Sequence, residues 1–324
     1  MSDRLLVANG DGVFTVSQNG NGFTTTFVEA VIGAECIAVA PHDPSLIFVG
    51  AFGGGLWRST DGGASFTRLD FPAQSVLSLA VSLADGAVYA GCEPSMLFRS
   101  RDDGETWVEL EALRQLPTAD TWSFPLRPWT HHVRQIAPSP HDPKLIIAGI
   151  ELGGVMRSED DGVTWNDHRP GAVKDCHGLT WHPTEPGRVY EAGGGGSAWS
   201  HDGGDTWTRV DEGREAAYRH YLTAVAVDPT DPDCWYVGAS PTPWQVDDAA
   251  MYRWRGEGPW EKLEGGLPDA LDGYPFAFSI NEEALFVALK DGRIWRGRDR
   301  GERWDELELH GAPLAGLRDI QVLS

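Results

Sequence analysis

Ser200-His201-Asp202-Gly203-Gly204-Asp205-Thr206-Trp207 closes an alternating hydrophobic run, and its pattern returns elsewhere in the chain. Ser59-Thr60-Asp61-Gly62-Gly63-Ala64-Ser65-Phe66, Ser100-Arg101-Asp102-Asp103-Gly104-Glu105-Thr106-Trp107 and Ser158-Glu159-Asp160-Asp161-Gly162-Val163-Thr164-Trp165 keep Ser, Asp, Gly, a hydroxyl residue and an aromatic in register. A repeat of this period implies a solenoid, a propeller or an array, in which each unit buries its apolar faces against its neighbours.

Around each copy the sequence reads as four short strands. Cys36 to Ala40 alternates into a Pro41-His42-Asp43-Pro44 turn, Leu46 to Gly50 is a buried strand, Leu56 to Ser59 follows a glycine loop, and Phe66 to Leu69 follows the repeat. Four antiparallel strands make one propeller blade. The same reading holds for Val76 to Leu110, Val133 to His168 and His177 to Val210, and more weakly for Leu222 to Leu263 and Phe276 to Leu309. Leu5 to Thr26 supplies the last three strands of a further blade but lacks a first, and Leu317 to Leu323 is a lone strand. Pairing the two closes a ring and removes the open sheet edges. The expectation is an all-β, seven-bladed propeller forming one domain over residues 1–324, with six blades as the alternative.

The eight-residue motif resembles the Asp-box, or bacterial neuraminidase repeat, of sialidases, sortilin-type receptors, xyloglucan-acting glycosidases and the photosystem II assembly propeller. That resemblance extends over the whole chain and implies the fold, while leaving the function open. Within the motif, Ser and Asp can bond turn N–H groups, Gly supplies positive φ and the aromatic packs between sheets, so these aspartates read as turn staples.

Composition narrows the functional classes. With 41% hydrophobic residues and 14 Trp the chain can bury a large core, so it is not disordered. A formal net charge of -22 opposes a phosphate backbone, so no nucleic acid is expected as a partner. The N-terminal apolar run is too short for a secretory core or a membrane span, and Cys36, Cys92, Cys176 and Cys234 have no CxxC spacing. The expected setting is the reducing cytoplasm, with no membrane partner.

The long loops gather on one face of the ring, which places binding residues there. Glu111 to His131, Asp211 to Tyr221, Glu264 to Tyr274 and Ser240 to Ala250 are the elaborations. Aligning the innermost strands puts Glu35, Leu77, Arg134, His177, Thr223, Tyr274 and Arg318 in one row at the mouth of the central channel. The row above contains Gly33, Ser75, His132, Asp175, Tyr221, Asp272 and Gly316, with Glu93, Glu151 and Lys290 beside it.

Three readings compete for this mouth. In the first, His132, His177 and His220, with Asp175 or Glu151, hold a divalent or redox metal ion; the structural alternative is histidines bonded to one another in a wet channel. In the second, Arg134, Arg219 and Arg318, with Tyr221, Trp129 and Trp244, bind an anionic or sugar-like small molecule. His177, Asp175, Glu151 and Tyr274 would supply acid–base or nucleophilic chemistry. The arginines resemble the sialidase triad, but the Arg-Ile-Pro motif of sialidases is missing, so a hydrolase or lyase of another specificity is expected. Each arginine can equally form a salt bridge to Glu35 or Asp319. In the third, Trp122, Trp129 and Trp244 stand exposed and anchor a protein or peptide. Cys176 alternates to the opposite side of its strand from its neighbours and is expected to be a core thiol.

Overall fold

The structure is a computed structural model that describes residues 4–20, 22–124, 130–210, 220–245 and 247–323. Seven sheets surround a central channel, and six of them are antiparallel and in simple sequence order. The innermost strands of blades 1 to 7 are, in turn, Ala34–Ala40, Val76–Val81, Val133–Pro138, Cys176–Trp181, Tyr221–Val227, Pro275–Ile280 and Leu317–Leu323. Each touches the next around the ring, and Leu317–Leu323 returns to Ala34–Ala40. This is the seven-bladed propeller expected from the repeats; the six-bladed alternative is set aside.

Closure is the pairing the sequence implies. Leu317–Leu323 runs antiparallel to Arg4–Asn9, with Val7 opposite Ile320, so blade 7 joins both ends of the chain. It also carries an additional outer strand, Leu309–Gly311, parallel to Gly22–Glu29. Blade 3 departs the other way. Its outermost strand is reduced to a single bridge between Arg157 and Asn166.

Burial follows strand position. The second strands Val88–Cys92, Ile146–Ile150 and Leu285–Leu289 are buried along their whole length, because neighbouring blades cover both faces. That explains why these segments read as unbroken apolar runs. The outermost strands Thr67–Arg68 and Thr208–Arg209 are two residues long and exposed. Short charged edges of this kind do not template aggregation.

The repeated turns hold themselves together by side-chain bonds. In the Ser200 turn, Gly204 N–H donates to Ser200 Oγ at 2.9 Å, and Thr206 N–H and Oγ1–H donate to the two Asp202 oxygens at 2.9 and 2.6 Å. Trp207 Nε1–H donates to Gly204 O at 3.1 Å, which seats the indole. The hydroxyl and carboxylate bonds recur around Asp61, Asp102 and Asp160, and the indole bond at Trp107 and Trp165, while Phe66 in the first copy has no ring N–H to donate. The glycine at the fifth position has φ of 81°, 84°, 81° and 79° at Gly63, Gly104, Gly162 and Gly204, a conformation in which a Cβ is strained. The degraded copy near Trp304 retains the indole bond, from Nε1–H to Gly301 O at 2.9 Å.

Side-chain bonds also tie the innermost strands of neighbouring blades. Ser78 Oγ–H donates to Val133 O, Gln135 Nε2–H to His177 O, and Thr223 Oγ1–H to Pro275 O. Val322 N–H donates to Ser279 Oγ, and Ile37 N–H to Asp319 Oδ2. The wall of the channel is therefore a cross-braced ring, a rigid support for any site at its mouth.

Candidate functional site

Every innermost strand carries a β-bulge at an equivalent place. The register skips one residue in each blade: Glu35, Leu77, Arg134, His177, Thr223, Phe276 and Arg318. A bulge leaves one residue without a partner in the ladder and re-aims its side chain. All seven of these residues line a cavity of about 250 Å³ in the channel. The row expected from sequence is therefore present in six blades, and in blade 6 it is displaced by two residues. Phe276 occupies the place assigned to Tyr274, and Tyr274 takes the place assigned to Asp272, its carbonyl accepting from Lys290 N–H as that of His132 accepts from Glu151 N–H.

Blades 3 and 4 bring the ionisable groups together. His177 is 4% exposed, and its Nδ1 lies 2.6 Å from Leu222 O across the boundary between blades 4 and 5. A carbonyl only accepts, so Nδ1 carries the proton and, in the neutral ring, Nε2 presents a lone pair. Nε2 faces Asp175 Oδ1 at 3.4 Å, and among the described residues neither atom has a hydrogen-bond partner. Glu151, at the end of the second strand of blade 3, brings a carboxylate oxygen to the same point. The donor atoms of Glu151, Asp175 and His177 all lie within 4.8 Å of one another.

Glu151 is itself oriented. His132 Nε2–H donates to its Oε2 at 2.9 Å, and Arg134 Nε stands 3.7 Å away. Burial alone would raise the Glu151 carboxyl, but the His132 bond and the charges of Arg134 and His132 prevail and hold it down to about 2. It is an ionised carboxylate at neutral pH. His132 Nδ1 faces Glu93 Oε2 at 3.6 Å, and Phe124 packs edge-on against the same imidazole.

An aromatic and cationic wall completes the mouth. Tyr221 packs against His177 with its ring tilted by 57° at 4.7 Å between centroids, and lies 6.2 Å from Tyr274. Burial, then the Glu151 and Asp175 charges, push the Tyr221 phenol well up, so it stays neutral. The Phe276 ring has Arg134, Arg318 and Lys290 around it, at 5.8, 6.0 and 4.4 Å from its centroid. Arg318 Nη1 also reaches Glu35 Oε2 at 3.6 Å, while its buried Nε has no hydrogen-bond partner among the described residues.

The structure redistributes several expected roles. His220 is exposed, and the converging set is Glu151, Asp175 and His177 in place of three histidines. The reason is local: His132 is spent on Glu151, and His220 precedes the innermost strand. Tyr274 is buried with its hydroxyl donating to Thr242 O at 2.8 Å, which ties down the loop carrying Trp244. Trp122 is 5% exposed and packs among Leu113, Val133 and Ile150, because the turn Glu111–Gln115 folds its loop inward. Trp244 is 70% exposed, as expected for a loop tryptophan on this face. Arg219 and Trp129 lie outside the described residues. Cys176 is a fully buried core thiol, raised by burial and the nearby Glu191 and Asp175 charges.

Phe276 was not legible as a site residue. Tyr274-Pro275-Phe276-Ala277-Phe278 alternates equally well in either of two registers two residues apart, and only the backbone pairing with Leu285–Leu289 chooses between them.

No protein-family model and no curated protein matches the chain. Among solved structures, the fold is similar to the GH74 xyloglucanase from Xanthomonas campestris, with a TM-score of 0.67 and 18% identity over 99% of this chain. The chain spans 52% of that enzyme's length. It is also similar to YCF48 from Cyanidioschyzon merolae (TM-score 0.61, 12% identity, 89% of this chain and 90% of that one). YCF48 bound to D1 peptide gives a TM-score of 0.57 at 15% identity, over 85% of this chain and 81% of that one. The class these likenesses define is the β-propeller, with a glycoside hydrolase and a peptide-bound protein on the same fold. None of the described helices is long and apolar enough to cross a membrane.

Proposed function

We propose that the chain is an Asp-box propeller, a single domain over residues 1–324, whose channel mouth is the active site of a small-molecule hydrolase or lyase. The substrate class is anionic or polyhydroxylated, glycoside-like in its density of polar groups. One observation carries this reading: two carboxylates and an imidazole converge beside Arg134, with buried polar atoms on Asp175, His177, Arg134 and Arg318 left unbonded among the described residues. Buried polar groups without partners are costly, so a site that keeps several of them is built for something that satisfies them.

The roles follow from geometry. Glu151, ionised and held by His132, acts as base or electrostatic stabiliser, and Asp175 with His177 Nε2 handles the proton. Arg134 and Arg318 hold the substrate's anionic group, and Tyr221 offers a ring face. Arg219 and Trp129 belong to the same expected binding set, and Tyr274 shapes the mouth through the Trp244 loop. The four free buried cysteines suit a reducing, cytoplasmic setting. The net charge of -22 argues against nucleic acid.

The test is a hydrolysis and elimination screen over chromogenic glycosides, uronates and other sugar acids, run in parallel on Asp175→Asn. Turnover that disappears in the variant supports the reading. Turnover that persists in the variant, or no turnover on any anionic or polyhydroxylated class, rejects it. A second reading, docking of a peptide on the same face, is favoured by the exposure of Trp244 on its enlarged loop.

A further inference from the structure

We infer that Glu151, Asp175 and His177 form a binding site for one divalent transition-metal ion. As to what the ion is for, the inference rests on the enzyme reading above, with a water in an open coordination position taking over the proton step once Asp175 and His177 Nε2 are ligands; the binding itself does not. Acidic side chains crowd together on many surfaces without an ion, so the argument turns on His177. It is 4% exposed, its Nδ1–H is committed to Leu222 O, and its Nε2 lies within 4.8 Å of donor atoms of two carboxylates without a hydrogen-bond partner among the described residues. A metal-ligating histidine has this arrangement, one nitrogen fixed by a carbonyl so that the other offers its lone pair.

The distances suit an ion. Tetrahedral coordination at bond lengths of about 2.1 Å separates donor atoms by about 3.4 Å. His177 Nε2 and Asp175 Oδ1 are 3.4 Å apart, and the Glu151 donor needs only a side-chain adjustment from within 4.8 Å. A direct His–Asp hydrogen bond is the competing explanation, but it is not made: both atoms lack a partner in hydrogen-bonding geometry among the described residues.

The surroundings fit an outer shell. His132 donates to Glu151 Oε2, fixing the carboxylate while leaving it further lone pairs. One imidazole with two carboxylates selects Mn²⁺, Fe²⁺ or Zn²⁺ over Mg²⁺ and Ca²⁺, which take all-oxygen sets. Three protein ligands leave positions open for water or a substrate oxygen. With the ion in place, Glu151, Asp175, neutral His177 and Arg134 sum to one positive charge. The same mouth then attracts an anion, which joins the metal to the substrate class proposed above.

The experiment is calorimetric titration of the full chain, stripped with chelator and dialysed, with Zn²⁺ and separately with Mn²⁺. One ion per chain is expected. Asp175→Asn, which keeps the side-chain shape, should weaken binding by more than the about 10- to 100-fold that loss of an outer-shell partner costs. His132→Ala should fall within that 10- to 100-fold range, and His220→Ala should bind as the parent does. Circular dichroism checks each fold, and the ion should raise the melting temperature of the parent but not of Asp175→Asn. Absence of a stoichiometric ion, or unchanged affinity in a folded Asp175→Asn, overturns the site. Turnover that ignores chelators in a protein that binds no ion overturns this inference and leaves the enzyme reading standing. An ion bound without turnover leaves the site standing and removes the enzyme.

Discussion

His177 Nε2 lies 3.4 Å from Asp175 Oδ1, and neither buried atom has a hydrogen-bond partner among the described residues, while the opposite nitrogen of the same ring clamps blade 4 to Leu222 of blade 5. One imidazole thus serves the ring and the site. Substituting it mixes two effects, whereas substituting Asp175 does not. Asp175→Asn is expected to retain the parent's melting temperature within a few degrees and to lose about 10²- to 10⁴-fold in kcat, the range for removal of a general acid–base group. Steady-state kinetics beside a thermal melt checks it.

Arg134 should act on substrate binding. Its buried Nε lacks a hydrogen-bond partner among the described residues, and its charge stands beside Glu151 and Phe276. Loss of a charged hydrogen bond of about 1.5–3 kcal/mol in Arg134→Ala should raise KM for an anionic substrate about 10- to 150-fold. A neutral analogue should lose much less, and that contrast is the measurement.

Gly149 couples packing to the site. A Cβ there would stand 2.3 Å from Cys176 Sγ and 3.1 Å from Cys176 Cβ, so the innermost strand of blade 4 must give way. Cys176 lies between Asp175 and His177. Gly149→Ala should cost about 1–3 kcal/mol by overpacking and reduce kcat as well. Denaturant melts and kinetics separate the two losses.

Ser200→Ala should do the reverse. It strips the buried Gly204 N–H of its acceptor, at a cost of about 1–3 kcal/mol, on the face away from the long loops. Stability should fall while kcat per folded molecule stays at the parent value.

Two buried carboxyls give opposite pH slopes. Glu191 is fully buried, accepts Val173 N–H at 2.7 Å and is pushed by burial from 4.5 to about 8. Its folded form binds the proton more tightly than its unfolded form, so stability falls as pH rises from about 4.5 to about 8. Glu191→Gln should remove that slope and stabilise the protein above pH 8 by on the order of a few kcal/mol. Glu151, held down to about 2, contributes stability that is present above 4.5 and lost as pH falls toward 2. Glu151→Gln should flatten that acid limb, on the order of 3 kcal/mol at most. Urea melts across pH 2–9 read both.

The architecture was written in the chain. The Ser200 to Trp207 pattern marks its turns through bonds among residues at most four apart, so sequence spacing alone implied them. The apolar second strands, the blade count and the closure of Leu317–Leu323 on Arg4–Asn9 followed from periodicity and from the need to leave no open edge. His177, Asp175, Glu151 and Arg134 were also legible, because aligned strands place equivalent residues at equivalent heights. What only the tertiary structure decided was direction and partnership. Whether His132 meets an ion or Glu151, whether Tyr274 or Phe276 faces the channel, and whether Trp122 stands out or packs in all depend on contacts between blades and on a one-residue bulge. Those are set by the ring as a whole: a strand's alternation is a local property, but the point at which seven strands converge belongs to no single one of them.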